Sequence, residues 1–130
     1  MILLDTDICI HILRGNEKII DERRKYPDQV AVSFMTLAEL YYGAEKSANP
    51  TKNRSLIEQL LLTLPVINSD NQIMHRFGML KASLEGLSIP LADADLLIAA
   101  IALEKCNLLV TGNIKHFGRI AGLPIVNWIL

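Results

Sequence analysis

Short apolar segments alternate with longer helical patterns along this chain, and that alternation limits the folds it can adopt. The apolar segments, which are predicted to be strands, lie at 2–5, 30–32, 66–67, 108–110 and 125–126. Parallel strands need crossover connections, and strands that are apolar on both faces are typical of sheets covered by helices on both sides. We therefore predict an α/β fold in which a short, mostly parallel central sheet of four or five strands is flanked by helices.

The helical patterns fill the intervals between these strands. They are predicted at 8–13, 16–25, 35–46, 51–63, 71–84, 95–105 and 114–117. Glycine or proline follows several of them and stops the helix, as Gly15, Pro65 and Gly86 do. The polar stretch 46–54 is too short to divide the chain, so we expect residues 1–130 to form a single domain.

The composition excludes several classes of protein. Hydrophobic residues make up 51% of the 130 residues, which rules out a disordered or low-complexity chain. A net charge of −1 excludes an overall basic nucleic-acid-binding coat but leaves a local basic patch open. Cys9 and Cys106 do not make a disulfide framework, no apolar run is long enough for a membrane span, and the N-terminus does not resemble a signal peptide. We therefore expect a soluble cytoplasmic domain without a membrane partner.

Two aspartates follow the first predicted strand. Asp5 comes directly after it, and Asp7 comes two residues later. Because binding sites in open α/β sheets form outside the carboxyl ends of the strands, a functional role is favoured for Asp5, which lies one step too early for an ordinary helix cap. Asp7 is favoured as the N-cap of the helix expected from Ile8, a position that suits aspartate.

Three further acids lie on or beside helical segments. Glu39 lies on a helix whose residues three and four positions away include no Lys or Arg, so it is either solvated or directed at a site. Asp93 and Asp95 precede the apolar run 96–103, and two residues at this spacing on a helix are about 200° apart. Both therefore cannot face one point: Asp93 is expected to cap the helix, and Asp95 to lie in its first turn and serve a site.

Polar residues also follow the predicted strand at 108–110. Thr111 and Asn113 stand at the same kind of position as Asp5. They either line a site or only form a turn, since the chain here has turn-forming residues. If they line a site, it extends over the ends of two strands.

Three carboxylates that folding brings together repel one another and need a counter-charge, which a divalent cation supplies. The spacing of His and Cys in this sequence suggests no metal cluster, so the acids indicate Mg²⁺ or Mn²⁺ rather than zinc. Such a site suits phosphodiester hydrolysis, because the metal polarises the phosphoryl oxygen and lowers the pKa of a bound water.

Five segments occur in the order found in a known family. They are Leu4-Asp5-Thr6-Asp7 and the segments 36–43, 95–100, 109–117 and 122–128. Together, over essentially the whole chain, they resemble the PIN-domain family and, within it, the VapC-type toxins of bacterial and archaeal type II toxin–antitoxin systems. The resemblance implies a three-layer PIN-like fold and a metal-dependent endoribonuclease that uses Mg²⁺ or Mn²⁺.

The resemblance also implies roles for particular residues. Three of them fall on the family's acidic positions and are implied to be catalytic and metal-binding: Asp5, Glu39 and Asp95. Further candidate site residues are Thr6, Asp7, Asp93, Thr111 and Asn113. Asn113 stands where many members carry a fourth acid, so the resemblance does not decide whether a second metal ion binds. Asp7 stands where Asn or Ser is usual, so it either restores one charge or only caps the helix.

The resemblance implies three kinds of partner. They are an RNA substrate, a VapB-like antitoxin and a second copy of the chain in a homodimer. The antitoxin's C-terminal segment is expected to lie across a groove, with the helices around 16–25 and 35–63 as its seat. The sequence leaves open whether the RNA is tRNA, rRNA or mRNA, because pocket shape and surface charge decide this.

Contacts with RNA phosphates come mainly from Lys and Arg. The basic candidates are Arg14, Arg23, Arg24, Lys25, Lys46, Lys52, Arg54, Lys115 and Arg119. His116, close to two of these in sequence, either helps to hold phosphates or is an ordinary helix residue.

Two other functions stay open at this point. The segment Asp5-Thr6-Asp7 also resembles the opening of haloacid-dehalogenase-type phosphatases, whose nucleophilic aspartate forms an aspartyl-phosphate. Those enzymes usually carry Thr or Val where this chain has Cys9. The second alternative is a non-catalytic PIN-like module that binds RNA or a partner, although the three main acids argue against it.

Overall fold

The computed structural model describes residues 1–26 and 29–129, which contain five strands and seven helices. The strands are β1 (Ile2–Leu4), β2 (Val30–Ser33), β3 (Val66–Ile67), β4 (Leu108–Val110) and β5 (Ile125–Val126). The helices are α1 (Thr6–Leu13), α2 (Glu17–Arg24), α3 (Phe34–Glu45), α4 (Pro50–Leu61), α5 (Asn71–Gly86), α6 (Asp93–Lys105) and α7 (Ile114–Phe117). Every predicted strand and helix is therefore present, although several ends differ from the prediction by one or two residues.

The five strands form one sheet in the order β3-β2-β1-β4-β5, and each neighbouring pair is parallel. Strand β1 lies in the centre, where Leu4 is in register with Val32 on one side and Val110 on the other. The α/β prediction is confirmed, and the sheet is wholly parallel. Because the carboxyl ends of parallel strands meet at one edge of a sheet, the residues that follow β1, β2 and β4 lie near one another.

Apolar cores lie on both faces of this sheet. Side chains alternate between the two faces along a strand. Leu4 therefore packs into the core shared with α1 to α4, whereas Leu3 packs with α5, α6 and α7 on the opposite face. Both leucines are fully buried. A sheet between two layers of helices is the three-layer arrangement that the family resemblance implies.

Helix α6 is buried along most of its length. Its buried side chains include the run from Ile98 to Ala102, three of which are alanines. Small side chains allow a helix to approach its neighbours closely, so α6 provides a rigid support for the residues at its N-terminal end. Within the ranges 1–26 and 29–129, no helix combines the length and the apolar character that crossing a membrane requires.

Helices α1 and α6 each begin two residues earlier than predicted, and residues other than the predicted ones cap them. Helix α1 begins directly after Asp5, which is its N-cap, so the prediction that Asp7 caps this helix is wrong. Helix α6 has Ala92 as its N-cap, so the prediction that Asp93 is the cap is also wrong. Both N-cap residues have extended backbones, with ψ of 164° and 148°, so the chain turns into each helix without an intervening loop. Asp7 and Asp95 consequently lie in first turns, where the helix dipole stabilises a negative charge.

Candidate active site

Asp5 lies at the carboxyl end of the central strand and is held by two hydrogen bonds. Its Oδ1 accepts from the backbone N–H of Thr6 at 2.8 Å, and its Oδ2 accepts from the Thr111 hydroxyl at 2.7 Å. Thr111 follows β4 and is fully buried, while Asp5 is only 6% exposed. These two bonds therefore hold the carboxylate in one orientation at the end of the central strand.

The surroundings of Asp5 disfavour its negative charge. Burial raises the pKa of Asp5 to about 7, and the nearby charges of Asp7 and Asp95 add to this rise. The hydrogen bonds from Thr111 and Thr6 act in the opposite direction but do not cancel it. Asp5 is thus close enough to two other acids to interact with them electrostatically, and a cation at this position would favour its ionised form.

Glu39 reaches the same edge of the sheet from helix α3. Its Oε1 accepts a hydrogen bond from the Thr6 hydroxyl at 2.7 Å. Since the backbone N–H of Thr6 also binds Asp5, one residue contacts both acids. Glu39 is therefore held by a protein contact beside Asp5 rather than surrounded only by solvent, and its role in a site stays a prediction.

Asp7 is joined to the loop that follows β4. Its Oδ1 accepts from the backbone N–H of Ile8, and its Oδ2 accepts from the backbone N–H of Gly112, both at 2.8 Å. Burial raises the pKa of Asp7 in spite of these bonds. Asp7 therefore does more than lie in the first turn of α1, because it fixes the position of the segment that carries Thr111 and Asn113.

Asp95 lies in the first turn of α6 and faces α7. Its Oδ2 lies 3.7 Å from Nδ1 of His116, and the same ring nitrogen lies 2.8 Å from Nδ2 of Asn113. Asn113 is itself positioned by its backbone N–H, which donates to the Thr111 hydroxyl at 2.9 Å. Asp95, His116 and Asn113 therefore form a polar group beside Asp5.

Asp93 is directed away from this group. Its carboxylate forms an ion pair with Lys81 on α5, at 3.0 Å between Nζ and Oδ1, and both side chains are largely exposed. The separation of about 200° between Asp93 and Asp95 on the helix accounts for their different environments. That only Asp95 of the two serves the site stays a prediction.

The donor set suits a hard divalent cation, but the acids do not form a ready-made cage. Asp5, Glu39 and Asp95 offer carboxylate oxygens, which Mg²⁺ and Mn²⁺ prefer. Burial, and to a smaller extent the charges of Asp7 and Asp95, raises the pKa of Asp5, and a bound cation would counteract both effects. Among the described residues, no group of three or more Asp, Glu, His or Cys side chains is arranged to hold a metal ion. The neutral donors Thr6 and Thr111 hold the carboxylates in the arrangement described here. The assignment of metal ligands therefore stays a prediction.

Sequence reasoning missed two buried hydroxyl residues in this region, Ser33 and Thr36. The Ser33 hydroxyl accepts from the backbone N–H of Thr36 at 3.0 Å and thereby caps α3. The Thr36 hydroxyl lies 3.0 Å from that of Thr6, which binds Glu39. A serine at a strand end followed by a helix is a capping signal that the sequence does contain, but nothing local in the pattern links it to Thr6.

Several of the basic RNA-contact candidates are engaged within the chain. Three of them form ion pairs with neighbouring acids: Arg24 with Asp21, Lys25 with Glu22, and Arg54 with Glu45. Arg119 donates to the Pro90 carbonyl at 3.1 Å and so links the end of α7 to the loop before α6. Their charges are thus partly balanced or positioned before any RNA binds.

An open cavity of about 270 Å³ lies beside Glu39, between α1, α3 and α4. Its walls are mainly apolar, with Ile10, Leu40 and Leu56 among the lining residues, while Arg14 and Glu39 supply charge. The cavity therefore forms an apolar groove next to the acidic site, defined here as the α1/α3/α4 groove.

Comparisons with known proteins agree with this geometry. The PIN-domain family model matches residues 2–123. Ribonuclease VapC2 of Haemophilus influenzae is 34% identical over 128 residues, which cover 98% of this chain and 97% of the relative. The tRNA(fMet)-specific endonuclease VapC of Salmonella typhimurium is 34% identical over 127 residues, covering 97% of this chain and 96% of the relative.

Solved structures show the same similarity. The structure of VapBC2 from Rickettsia felis, bound to a DNA fragment from its promoter, matches with a TM-score of 0.92 at 33% identity, covering 98% of this chain and 99% of that one. VapBC-1 from nontypeable Haemophilus influenzae matches with a TM-score of 0.90 at 35% identity over the whole of both chains. The fold and the resemblance predicted from the sequence are both confirmed. The chain belongs to the PIN-domain family and, within it, to the VapC ribonucleases.

Proposed function

We propose that this chain is the endoribonuclease toxin of a toxin–antitoxin pair, and that residues 1–130 form one PIN domain. The observation that carries the proposal is the set of contacts that connects Asp5, at the end of the central strand, with Glu39 and Asp95. Asp5 and Glu39 are both bound by Thr6, and the charge of Asp95 acts on Asp5. Relatives over almost the full chain are named ribonucleases.

We assign the acids distinct roles in phosphodiester hydrolysis. Asp5 and Asp95 would hold a divalent ion, Mg²⁺ or alternatively Mn²⁺, and Glu39 would either join them or orient the attacking water. PIN-domain ribonucleases generally depend on divalent metal ions. When bound, the ion polarises the scissile phosphate and balances negative charge at the site. Thr111 and Asn113 would position waters or a substrate phosphate at the end of β4.

We propose RNA as the substrate, with tRNA as the class to test first, because a relative of 34% identity is named for cleavage of tRNA(fMet). Single-stranded loops of structured RNA present the unstacked bases that proteins recognise most readily. Lys115 and Arg119, on and after α7, are the basic candidates nearest in sequence to Asn113 and His116, which lie at the acidic site.

We propose that a VapB-like antitoxin occupies the α1/α3/α4 groove with an apolar C-terminal segment. The groove is apolar, open and adjacent to Glu39, so a segment seated there would also cover the site. Two solved structures that match over nearly the whole chain are VapBC complexes. A homodimer is the third proposed assembly, and its test is the molar mass of the purified toxin in solution.

The proposed function is tested by single substitutions and a metal dependence. Purified protein is mixed with total tRNA in the presence of Mg²⁺ or EDTA, and the wild-type chain is expected to cleave only with Mg²⁺. Asp95→Asn is expected to lower the cleavage rate by roughly 100-fold or more while circular dichroism shows an intact fold. Asp93→Asn removes the same charge from the same helix end but from a side chain that faces Lys81, and it is expected to cleave at nearly the wild-type rate.

Two results would contradict this proposal. A folded Asp95→Asn protein that cleaves at the full rate would remove the catalytic assignment. RNA binding that is unaffected by EDTA and produces no cleavage would favour the non-catalytic module instead.

A further inference from the structure

Thr6 contacts two of the candidate acids through different atoms. Its backbone N–H donates to Oδ1 of Asp5 at 2.8 Å, and its hydroxyl donates to Oε1 of Glu39 at 2.7 Å. Asp5 ends the central strand, whereas Glu39 lies on α3, 33 residues beyond Thr6. Thr6 therefore sets how these two carboxylates lie relative to each other.

The Thr6 hydroxyl belongs to a chain of hydrogen bonds whose direction follows from its two ends. The chain starts at the backbone N–H of Thr36, which can only donate. This N–H donates to the Ser33 hydroxyl at 3.0 Å. The Ser33 hydroxyl in turn donates to the Thr36 hydroxyl at 3.3 Å. At the other end, Oε1 of Glu39 accepts the bond from Thr6, so the chain ends there.

The order of the middle links follows because each hydroxyl has a single proton. The Thr6 and Thr36 hydroxyl oxygens lie 3.0 Å apart. Because the Thr6 proton is directed at Glu39, the Thr36 proton must be directed at Thr6. The chain thus runs from Ser33 through Thr36 and Thr6 to the carboxylate, and each bond polarises the next in the same direction.

Burial keeps water out of most of this chain. Ser33 and Thr36 are both 0% exposed, so their hydroxyls bind each other and the protein backbone rather than solvent. Ser33 is also fixed in place as the N-cap of α3, the helix that carries Glu39. Within residues 1–26 and 29–129, Oε1 is the only Glu39 oxygen that accepts a hydrogen bond, which leaves Oε2 free.

We propose that Thr6 is a positioning residue for this site, whose hydroxyl, oriented by Thr36 and Ser33, holds Glu39 by Oε1 and leaves Oε2 for the reacting water or the bound cation. The proposal rests on the proposed ribonuclease function. Loss of the Thr6 hydroxyl frees the Glu39 side chain to adopt other rotamers, so fewer molecules have the reactive arrangement, while RNA contacts elsewhere are unchanged.

The test compares substitutions that keep or remove one hydroxyl. Thr6→Val keeps the branched shape and removes the hydroxyl, and it is expected to lower kcat roughly 10- to 100-fold with little change in KM, since a hydrogen bond to a charged group is lost. Thr6→Ser restores the hydroxyl and is expected to return kcat to within about threefold of the wild type.

Thr36→Val is expected to have a smaller effect than Thr6→Val, because Thr6 still donates to Glu39. Thr51→Val, on the exposed face of α4, is the matched control and is expected to have no effect.

A Thr6→Val protein with wild-type kcat would overturn the proposal, as would a Thr6→Ser protein that is impaired as severely as Thr6→Val. A second measurement does not depend on catalytic activity. It compares the free energies of unfolding, measured in urea, of Thr6→Val, Glu39→Ala and the double variant. Non-additive changes in the free energy of unfolding are expected, and additive changes would overturn the proposed contact. If the wild-type chain does not cleave RNA at all, the proposed function fails, and the unfolding cycle still decides whether Thr6 holds Glu39.

Discussion

The carboxylate of Asp7 accepts a hydrogen bond from the backbone N–H of Gly112 across 105 residues of sequence, at 2.8 Å. This contact joins the first turn of α1 to the loop after β4. The same loop carries Thr111, which binds Asp5, and Asn113, which lies beside His116. Two hydrogen bonds, one to Asp5 and one to Asp7, thus connect the segments that follow the neighbouring strands β1 and β4.

Gly112→Ala tests this connection. A Cβ atom at residue 112 would lie 2.7 Å from Oδ2 of Asp7 and 2.5 Å from Cδ1 of Ile129, so either these side chains or the loop must shift, and a shift of Asp7 disturbs its bond to the Gly112 N–H. We expect a loss of about 1–3 kcal/mol in the free energy of unfolding, together with a lower RNA cleavage rate. Gly78→Ala, in the interior of α5 where a Cβ meets nothing within 4 Å, is the control, and it is expected to stabilise the protein by about 0.5–1 kcal/mol. Equal effects of the two substitutions would contradict the prediction.

The raised pKa of Asp5 predicts how stability depends on pH when metal is removed with EDTA. Because the pKa is about 7 in the folded chain against 3.8 for an ordinary aspartate, the folded state binds this proton more tightly than the unfolded state does. The resulting stabilisation is complete below about pH 4 and is lost as the pH rises through 7, by up to about 4 kcal/mol. Urea unfolding between pH 4 and 8 measures it.

Asp5→Asn provides the control for this pH dependence. The variant cannot gain the charge, so its stability should fall less than that of the wild type over the same pH interval, with Asp7 accounting for part of the remaining slope. Mg²⁺ should stabilise the wild type more at pH 8 than at pH 5, since binding at low pH must displace the proton. Identical pH profiles for the two proteins would show that Asp5 is not responsible.

Ser88→Gly is expected to stabilise the chain. Ser88 has a φ of 61°, a value that residues other than glycine rarely adopt. It follows the end of α5, where its N–H binds the Glu85 carbonyl and the N–H of Ile89 binds the Leu84 carbonyl, the pattern of a Schellman helix end that favours glycine. We expect a gain of about 0.5–1 kcal/mol in the free energy of unfolding. Ser83→Gly, within the same helix, is expected to lose a similar amount, so a change of the same sign in both would contradict the backbone explanation.

Leu56→Glu tests the proposed antitoxin seat. Leu56 lines the α1/α3/α4 groove, and a charged side chain there opposes the binding of an apolar segment. We expect the affinity for a VapB-like antitoxin to fall at least about tenfold, measured by titration calorimetry, with RNA cleavage by the free toxin retained. Leu62→Glu makes the same change on a residue that is 86% exposed, just after α4, and is expected to bind the antitoxin normally. Equal binding by both variants would place the antitoxin elsewhere.

Local sequence patterns were sufficient for most of the fold. The apolar run at 108–110 identified β4, and the spacing of apolar residues at 71–84 identified α5. The spacing of apolar residues along the chain indicates a strand or a helix because either element must place these side chains in the core. The patterns were less reliable at helix starts, where Asp5 and Ala92 proved to be the caps. Several polar residues suit such a position, and the path of the backbone chooses among them.

The sequence by itself determined the alternation of strands and helices, the parallel sheet, the positions of Asp5 and Asp95 at element ends and that of Glu39 on a helix, because these depend on residues near one another in the chain. Only the tertiary structure decided which polar groups bind those acids. Thr6 meets Glu39 across 33 residues, and Thr111 meets Asp5 across 106. Such contacts depend on strand register and on the orientation of each side chain after packing, and no local preference encodes either.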